Sequence, residues 1–212
     1  MIYVLYILLG AVLSFIGSLP FGMINLTATD LTLRKGTRAG RIYSAGAALV
    51  EFIQAFIALR FTQFLLENRE LDLGFQITAA VVFAVLALYY FFWAPPVQAD
   101  TSPPRRFEVP YFWQGVLVSS LNLMVFPYWM FYASYLRAGN WLTNGLQDIL
   151  VFSGGVFLGT FLLLLLYVRM ADFLKTRAGR WSQWINRSIA WIFTVFFGYQ
   201  IWKLLPFIME LW

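Results

Sequence analysis

The sequence predicts an all-α integral membrane protein, with six transmembrane helices arranged as two inverted three-helix repeats. Of its 212 residues, 61% are hydrophobic and 12% charged, about half the ~25% charge of an ordinary soluble domain. Apolar runs long enough to cross a bilayer as helix, roughly 20 residues, recur near 3–24, 42–66, 73–93, 111–136, 147–170 and 187–208. Short patterns in the first half of the chain also return in the second.

The first run lacks a basic leader and a small-residue cleavage site, so it is expected to be a retained span and not a signal peptide. Its end, "SLPFGMIN", places Pro20, Gly22 and Asn25 before any charge appears. A breaker, a flexible residue and an amide together predict either a helix end meeting water or unwound backbone lining a polar site. The second span carries Glu51 and Gln54. The segment "APPVQADTSPPRRFEVP" (94–110) holds five of the eight prolines, which predicts a non-helical linker between a first repeat (1–93) and a second (111–212). The fourth span contains "LNLMVFP", with Asn122 and Pro127, a second interruption. The fifth carries Gly155 and Gly159, a small-xxx-small pair suited to close helix packing. The sixth closes the chain.

Charge placement predicts orientation. Eleven of the 15 Lys and Arg residues fall in the links after spans one, three and five, among them Arg34, Lys35, Arg38, Arg41, Arg105 and Arg106. By the positive-inside rule those links face the cytoplasm and both termini face away from it, in a cell inner (plasma) membrane. Trp93, Trp113, Trp141 and Trp202 fall near the expected interfaces, as an aromatic belt requires. The net charge of +5 is thereby accounted for by topology, and no nucleic acid is expected as a partner. The chain has no Cys and no His, which removes thiolate chemistry, thiol–disulfide relays and the commonest general base, metal ligand and haem ligand. No cofactor, metal or enzymatic activity is expected.

The halves echo one another. "SAGAALVEF" (44–52) resembles "SGGVFLGTF" (153–161), so Glu51 matches Thr160. Superposing "RKG" (34–36) on "RAG" (137–139) sets Leu19–Pro20 against Asn122–Leu123. Because each half has an odd number of spans, the second copy must be inverted. Paired interruptions at corresponding positions of inverted repeats point to a transporter's binding site near the midplane.

Glu51 is the one acid well inside a span. An ionised carboxylate at the bilayer centre costs about 3 kcal/mol on insertion scales, so intramembrane acids are functional candidates by default. Its helical neighbours Ser44, Ala47, Ala48, Gln54, Ala55 and Ala58 form a small, polar face, which predicts that Glu51 points into the bundle. The bland reading is a carboxyl that only glues two helices together. Asn25 and Asn122 offer donors and acceptors beside the expected breaks, although Asn is also an ordinary helix cap. Arg60, nine residues past Glu51, is expected to reach the outer interface.

At these residues the chain resembles the lysine-exporter (LysE) family. "PFGMIN" (20–25) has the P-x-G-x-x-N spacing of that family's first-span motif. "NLMVFPYW" (122–129) is similar to its fourth-span motif, and "RKGTRAGRIYSAG" to its approach to span two. The resemblance covers nearly the whole chain, and it departs at Met23 and Leu123, where the family has Pro. It implies a secondary exporter of amino acids or related small metabolites driven by an ion gradient, with Pro20, Gly22, Asn25 and Asn122 as motif positions. The related membrane thiol-relay proteins need paired Cys and do not fit. The residues expected to bind substrate or ion are Glu51, Asn25, Asn122, Gln54 and Thr160, with Pro20, Gly22 and Pro127 breaking helices. The expected partners are a small-molecule substrate and the lipid bilayer, with homo-oligomerisation open. The competing class is a non-transporting membrane subunit or packing partner in a larger complex.

The orientation has a direct test, made clean by the absence of native Cys. A Cys placed at Thr37 or Ser102 should resist a membrane-impermeant thiol reagent added from outside intact cells. Rapid labelling at either position would reverse the orientation.

Overall fold

The computed structural model describes residues 2–20, 22–67, 69–93, 109–175 and 178–209. Among these, every regular element is helical: α1 (Ile2–Gly17), α2 (Met23–Lys35), α3 (Thr37–Glu67), α4 (Arg69–Phe92), α5 (Tyr111–Ser120), α6 (Val125–Ala138), α7 (Leu146–Arg169), α8 (Ala171–Lys175) and α9 (Ala178–Met209). Residues 94–108, most of the expected linker, lie outside the described residues.

Helices α3, α4, α7 and α9 are long and apolar enough to cross a membrane, and α5 with α6 makes a fifth if the bent pair counts as one span. The expected first span does not run unbroken from 3 to 24. Its apolar part is α1, 16 residues or about 24 Å of helix, shorter than a hydrocarbon core of ~30 Å. The faces of α1 follow the helical repeat. Tyr6, Gly10 and Ser14 are buried, while Val4, Leu8, Val12 and Ile16 are each more than half exposed, an apolar surface fit for lipid.

Two breaks interrupt the bundle. The first covers 18–22, between α1 and α2. The second covers 121–124, between α5 and α6, where the chain turns by 68°. Both are narrower than the motifs suggested, and this corrects two positions. Asn25 is the third residue of α2, and Pro127 is the third residue of α6. A proline is tolerated there because first-turn N–H groups have no intrahelical partner. Pro20, Gly22 and Asn122 lie in the breaks themselves. Helix α2 ends with Arg34 and Lys35, complementing its negative dipole end. It stops at Gly36, whose φ of +88° disfavours a side chain.

The helices interlock across the two halves: α1 packs on α7, α5 on α3, α3 on α7, and α4 on α9. At two crossings the backbones touch. A Cβ on Gly10 would overlap the Phe152 carbonyl, and one on Gly155 would overlap that of Ile7. A Cβ on Gly46 would strike the Phe112 carbonyl, and one on Gly115 that of Tyr43. Gly159 is equally close to Ala11, so the Gly155/Gly159 pair does serve helix packing. An aromatic layer of Phe83, Phe193, Phe196 and Phe131 joins α4 and α9 to α6.

The crossings make a paired prediction. Gly155→Ala should lower unfolding stability in detergent by about 1–3 kcal/mol, the usual range for overpacking. Gly154→Ala, where nothing lies within 4 Å, should leave it within ~0.5 kcal/mol. Equal stability of the two variants would show that the α1–α7 contact is looser than described.

Candidate functional site

Glu51 sits on the inner face of α3. It is 7% exposed, and Ser44, Ala47, Ala48, Gln54, Ala55 and Ala58 on the same face are all buried, while Leu49, Ile53 and Ile57 are exposed. Its Oε1 accepts hydrogen bonds from Ser14 Oγ (3.3 Å) and Ser18 Oγ (3.4 Å) of the α1 end. Ser14 Oγ is also 2.6 Å from Thr160 Oγ1 of α7. A hydroxyl has one proton to give. When Ser14 donates to Glu51, Thr160 must therefore donate to Ser14, forming a directed chain Thr160→Ser14→Glu51. A protonated Glu51 donating to Ser14 lets the same chain run the other way.

The breaks are held by side chains. Asn25 Nδ2 donates to the Ser18 and Pro20 carbonyls, at 2.7 and 2.8 Å. Tyr167 of α7 donates from its hydroxyl to the Leu19 carbonyl at 2.6 Å. Tyr128 of α6 reaches the Leu13 carbonyl of α1 at 2.7 Å. The Ser18, Leu19 and Pro20 carbonyls lie past the last residue of α1, where the intrahelical ladder stops supplying donors, while Tyr128 bonds a carbonyl inside α1. Across the bundle, Gln54 Nε2 donates to the Ser119 and Asn122 carbonyls at 3.4 and 3.3 Å. Gln54 Oε1 and Ser119 Oγ are buried with no hydrogen-bond partner among the described residues.

The structure therefore sorts the expected site residues into two groups. Glu51 and Thr160 meet through Ser14. Asn25 and Gln54 bond break carbonyls; Asn25 commits its amide protons to stitching the first break and is not an end cap. Asn122 is half-buried and enters this network through its carbonyl. Pro20 and Gly22 shape the first break, while Pro127 stands just past the second. Arg60 is exposed and bonds Gln63 at 2.7 Å, away from Glu51. Ser14, Ser18, Tyr128 and Tyr167 are not among the expected residues. The first two had a signal, small residues at four-residue spacing after Gly10. The tyrosines had none, since their role depends on which carbonyls the fold brings beneath them.

No family model, curated protein or solved structure matches this chain. Fold and site define a helical protein with several membrane-length helices and a carboxyl-centred polar cluster buried where α1, α3 and α7 meet.

Asn25→Leu should leave the Ser18 carbonyl without its Asn25 donor and Pro20 with only the Gly22 N–H, at a cost of about 1–3 kcal/mol for the acceptor left unpaired. Amide exchange over the start of α2 should accelerate while α7 stays protected. Unchanged exchange would mean that the break is held without the Asn25 amide.

Proposed function

We propose that this chain is a secondary transporter of the inner (plasma) membrane that exports amino acids or related small metabolites, coupled to the proton gradient. In this reading α1 with the first break, and α5 with α6, each count as one span. The chain then has six spans, in two inverted three-helix repeats with both termini outside. Support comes from the crossings. Ile7 and Gly10 meet Phe152 and Gly155, while Phe112 and Gly115 meet Tyr43 and Gly46 in the same pattern. Exchanging the halves carries one crossing into the other, with an offset of 105 (115 less 10) for the first spans and 109 (155 less 46) for the second. The first offset replaces the 103 given by the "RKG"/"RAG" superposition. Ser14 then corresponds to Ser119 and Glu51 to Thr160, so the polar cluster sits on the inferred axis, where inverted-repeat transporters place their sites. The resemblance of "PFGMIN" to the lysine-exporter motif adds to this reading.

The observation that carries it is the Thr160–Ser14–Glu51 chain, buried beside a helix break. A carboxyl in such a chain can gain or lose its proton while its neighbours reverse the sense of their hydrogen bonds. One charge crossing 100 mV is worth about 2.3 kcal/mol, enough for roughly a 40-fold substrate gradient.

Glu51→Gln keeps the size and a hydrogen-bonding amide but cannot ionise. The variant should insert and fold normally, yet lose gradient-driven export in proteoliposomes at matched protein levels, while retaining passive exchange. Undiminished pH-driven transport by the variant would make Glu51 a packing residue and move the coupling site elsewhere, whereas no gradient-driven transport by the wild-type protein would return the chain to the class of non-transporting membrane subunits.

A further inference from the structure

A cavity of ≈ 210 Å³ opens between the late part of α3, the first half of α4, α6 and the late part of α9. It shares no residue with the Ser14–Glu51–Thr160 chain. Its wall is largely apolar, with the rings of Phe75, Phe83 and Phe131, and it includes Pro127 beside the second break. Gln200 lines it from α9. That residue is 8% exposed, and its Oε1 is buried with no hydrogen-bond partner among the described residues. It stands five residues before the end of the apolar stretch Arg187–Leu205, about 7.5 Å of helix. Hydrocarbon supplies no donor at that depth, so an open amide oxygen costs free energy until a ligand or water meets it. Thr62, on the opposite wall, does not meet it, since its hydroxyl donates to the Ala58 carbonyl at 2.8 Å. Lys203 is already engaged over the Tyr199 ring, 5.9 Å from its centre.

We propose that this cavity binds uncharged, lipid-soluble molecules built from one aromatic ring, a short alkyl chain and a single O–H donor, with that donor meeting Gln200 Oε1. Alkylphenols are the simplest members of the class, and they are neutral at pH 7 as the Tyr side chain is. Size sets the ring. An apolar cavity of about 150 Å³ holds benzene, so this volume takes a ring bearing a short chain. The Phe75, Phe83 and Phe131 walls offer the edge and face contacts that aromatic rings prefer. Neutrality follows from the lining, because an ion would exchange its hydration for largely apolar walls. The donor follows from Gln200, the buried acceptor on those walls. The inference goes beyond the proposed transport reaction: this ligand carries no charge, partitions into lipid and needs no gradient to bind.

The test uses a Ser134→Cys variant in nanodiscs, where the only thiol lines the cavity, and follows its rate of maleimide labelling. The probes are 4-propylphenol, 4-propylanisole, in which a methyl group replaces the donated proton, and propylbenzene, which lacks the oxygen. At matched concentration in the bilayer all three should slow labelling. The phenol should reach half-protection at about a fivefold lower concentration, the scale of one neutral hydrogen bond. Adding Gln200→Leu should erase that advantage by weakening the phenol alone, and adding Lys203→Met should preserve it. No protection by any probe, equal protection by the phenol and its ether, or an advantage that survives Gln200→Leu would overturn the proposal. So would an advantage lost in Lys203→Met, which would make the anchor a charge. Every arm is read without a gradient on a chain that keeps Glu51, so a failure of cavity binding and a failure of transport are told apart.

Discussion

In hydrocarbon, a backbone carbonyl or N–H without a partner costs several kcal/mol, and this constraint governs where the chain can leave the helical path. Among the described residues the chain leaves that path within the two halves' first spans at 18–22 and 121–124, and donors surround both places. Asn25 and Tyr167 answer the first break, and Gln54 answers the second. Helices α3 and α7 thus act as the frame: each is unbroken, and each sends side chains to a break in the opposite half. The polar site exists because irregular backbone in a membrane has to be enclosed.

The glycine crossings determine what that enclosure can contain. With Gly10 against the Phe152 carbonyl and Gly155 against that of Ile7, α1 approaches α7 closely enough for two short hydroxyl side chains, Ser14 and Thr160, to meet at 2.6 Å. A longer side chain at the crossing would part the helices and break the chain that leads to Glu51. Packing and chemistry are therefore linked, since the residues without side chains position the residues with polar ones.

Much of this was legible in the sequence. Burial of the Glu51 face followed from Ser44, Ala47, Ala48, Gln54 and Ala55 recurring at helical spacing, and the all-helical architecture followed from the apolar runs. The interruptions were marked by Pro20, Gly22 and Asn122. The limits of the breaks were not, because proline is compatible with the first turn of a helix and Pro127 belongs to the start of α6. The hydroxyls of Ser14 and Ser18 stood in an apolar run with no acid nearby in sequence, and their partner on α3 appears only once α1 and α3 are packed. Tyr128 and Tyr167 looked like any other aromatic residue in a membrane helix.

The interlocking of the halves bears on how the chain is made. Ser14 meets Thr160 across 146 residues of sequence. At synthesis rates of roughly 5–20 residues per second, α1 waits roughly 7–30 s for α7 to be made. During that interval Ser14 has Glu51, 37 residues away, but neither Thr160 nor the backbone seat at Phe152. The nascent protein holds a half-built polar cluster for seconds, and a chain that stalls before α7 keeps Glu51 with Ser14 and Ser18 but lacks the Thr160 end of the hydroxyl chain.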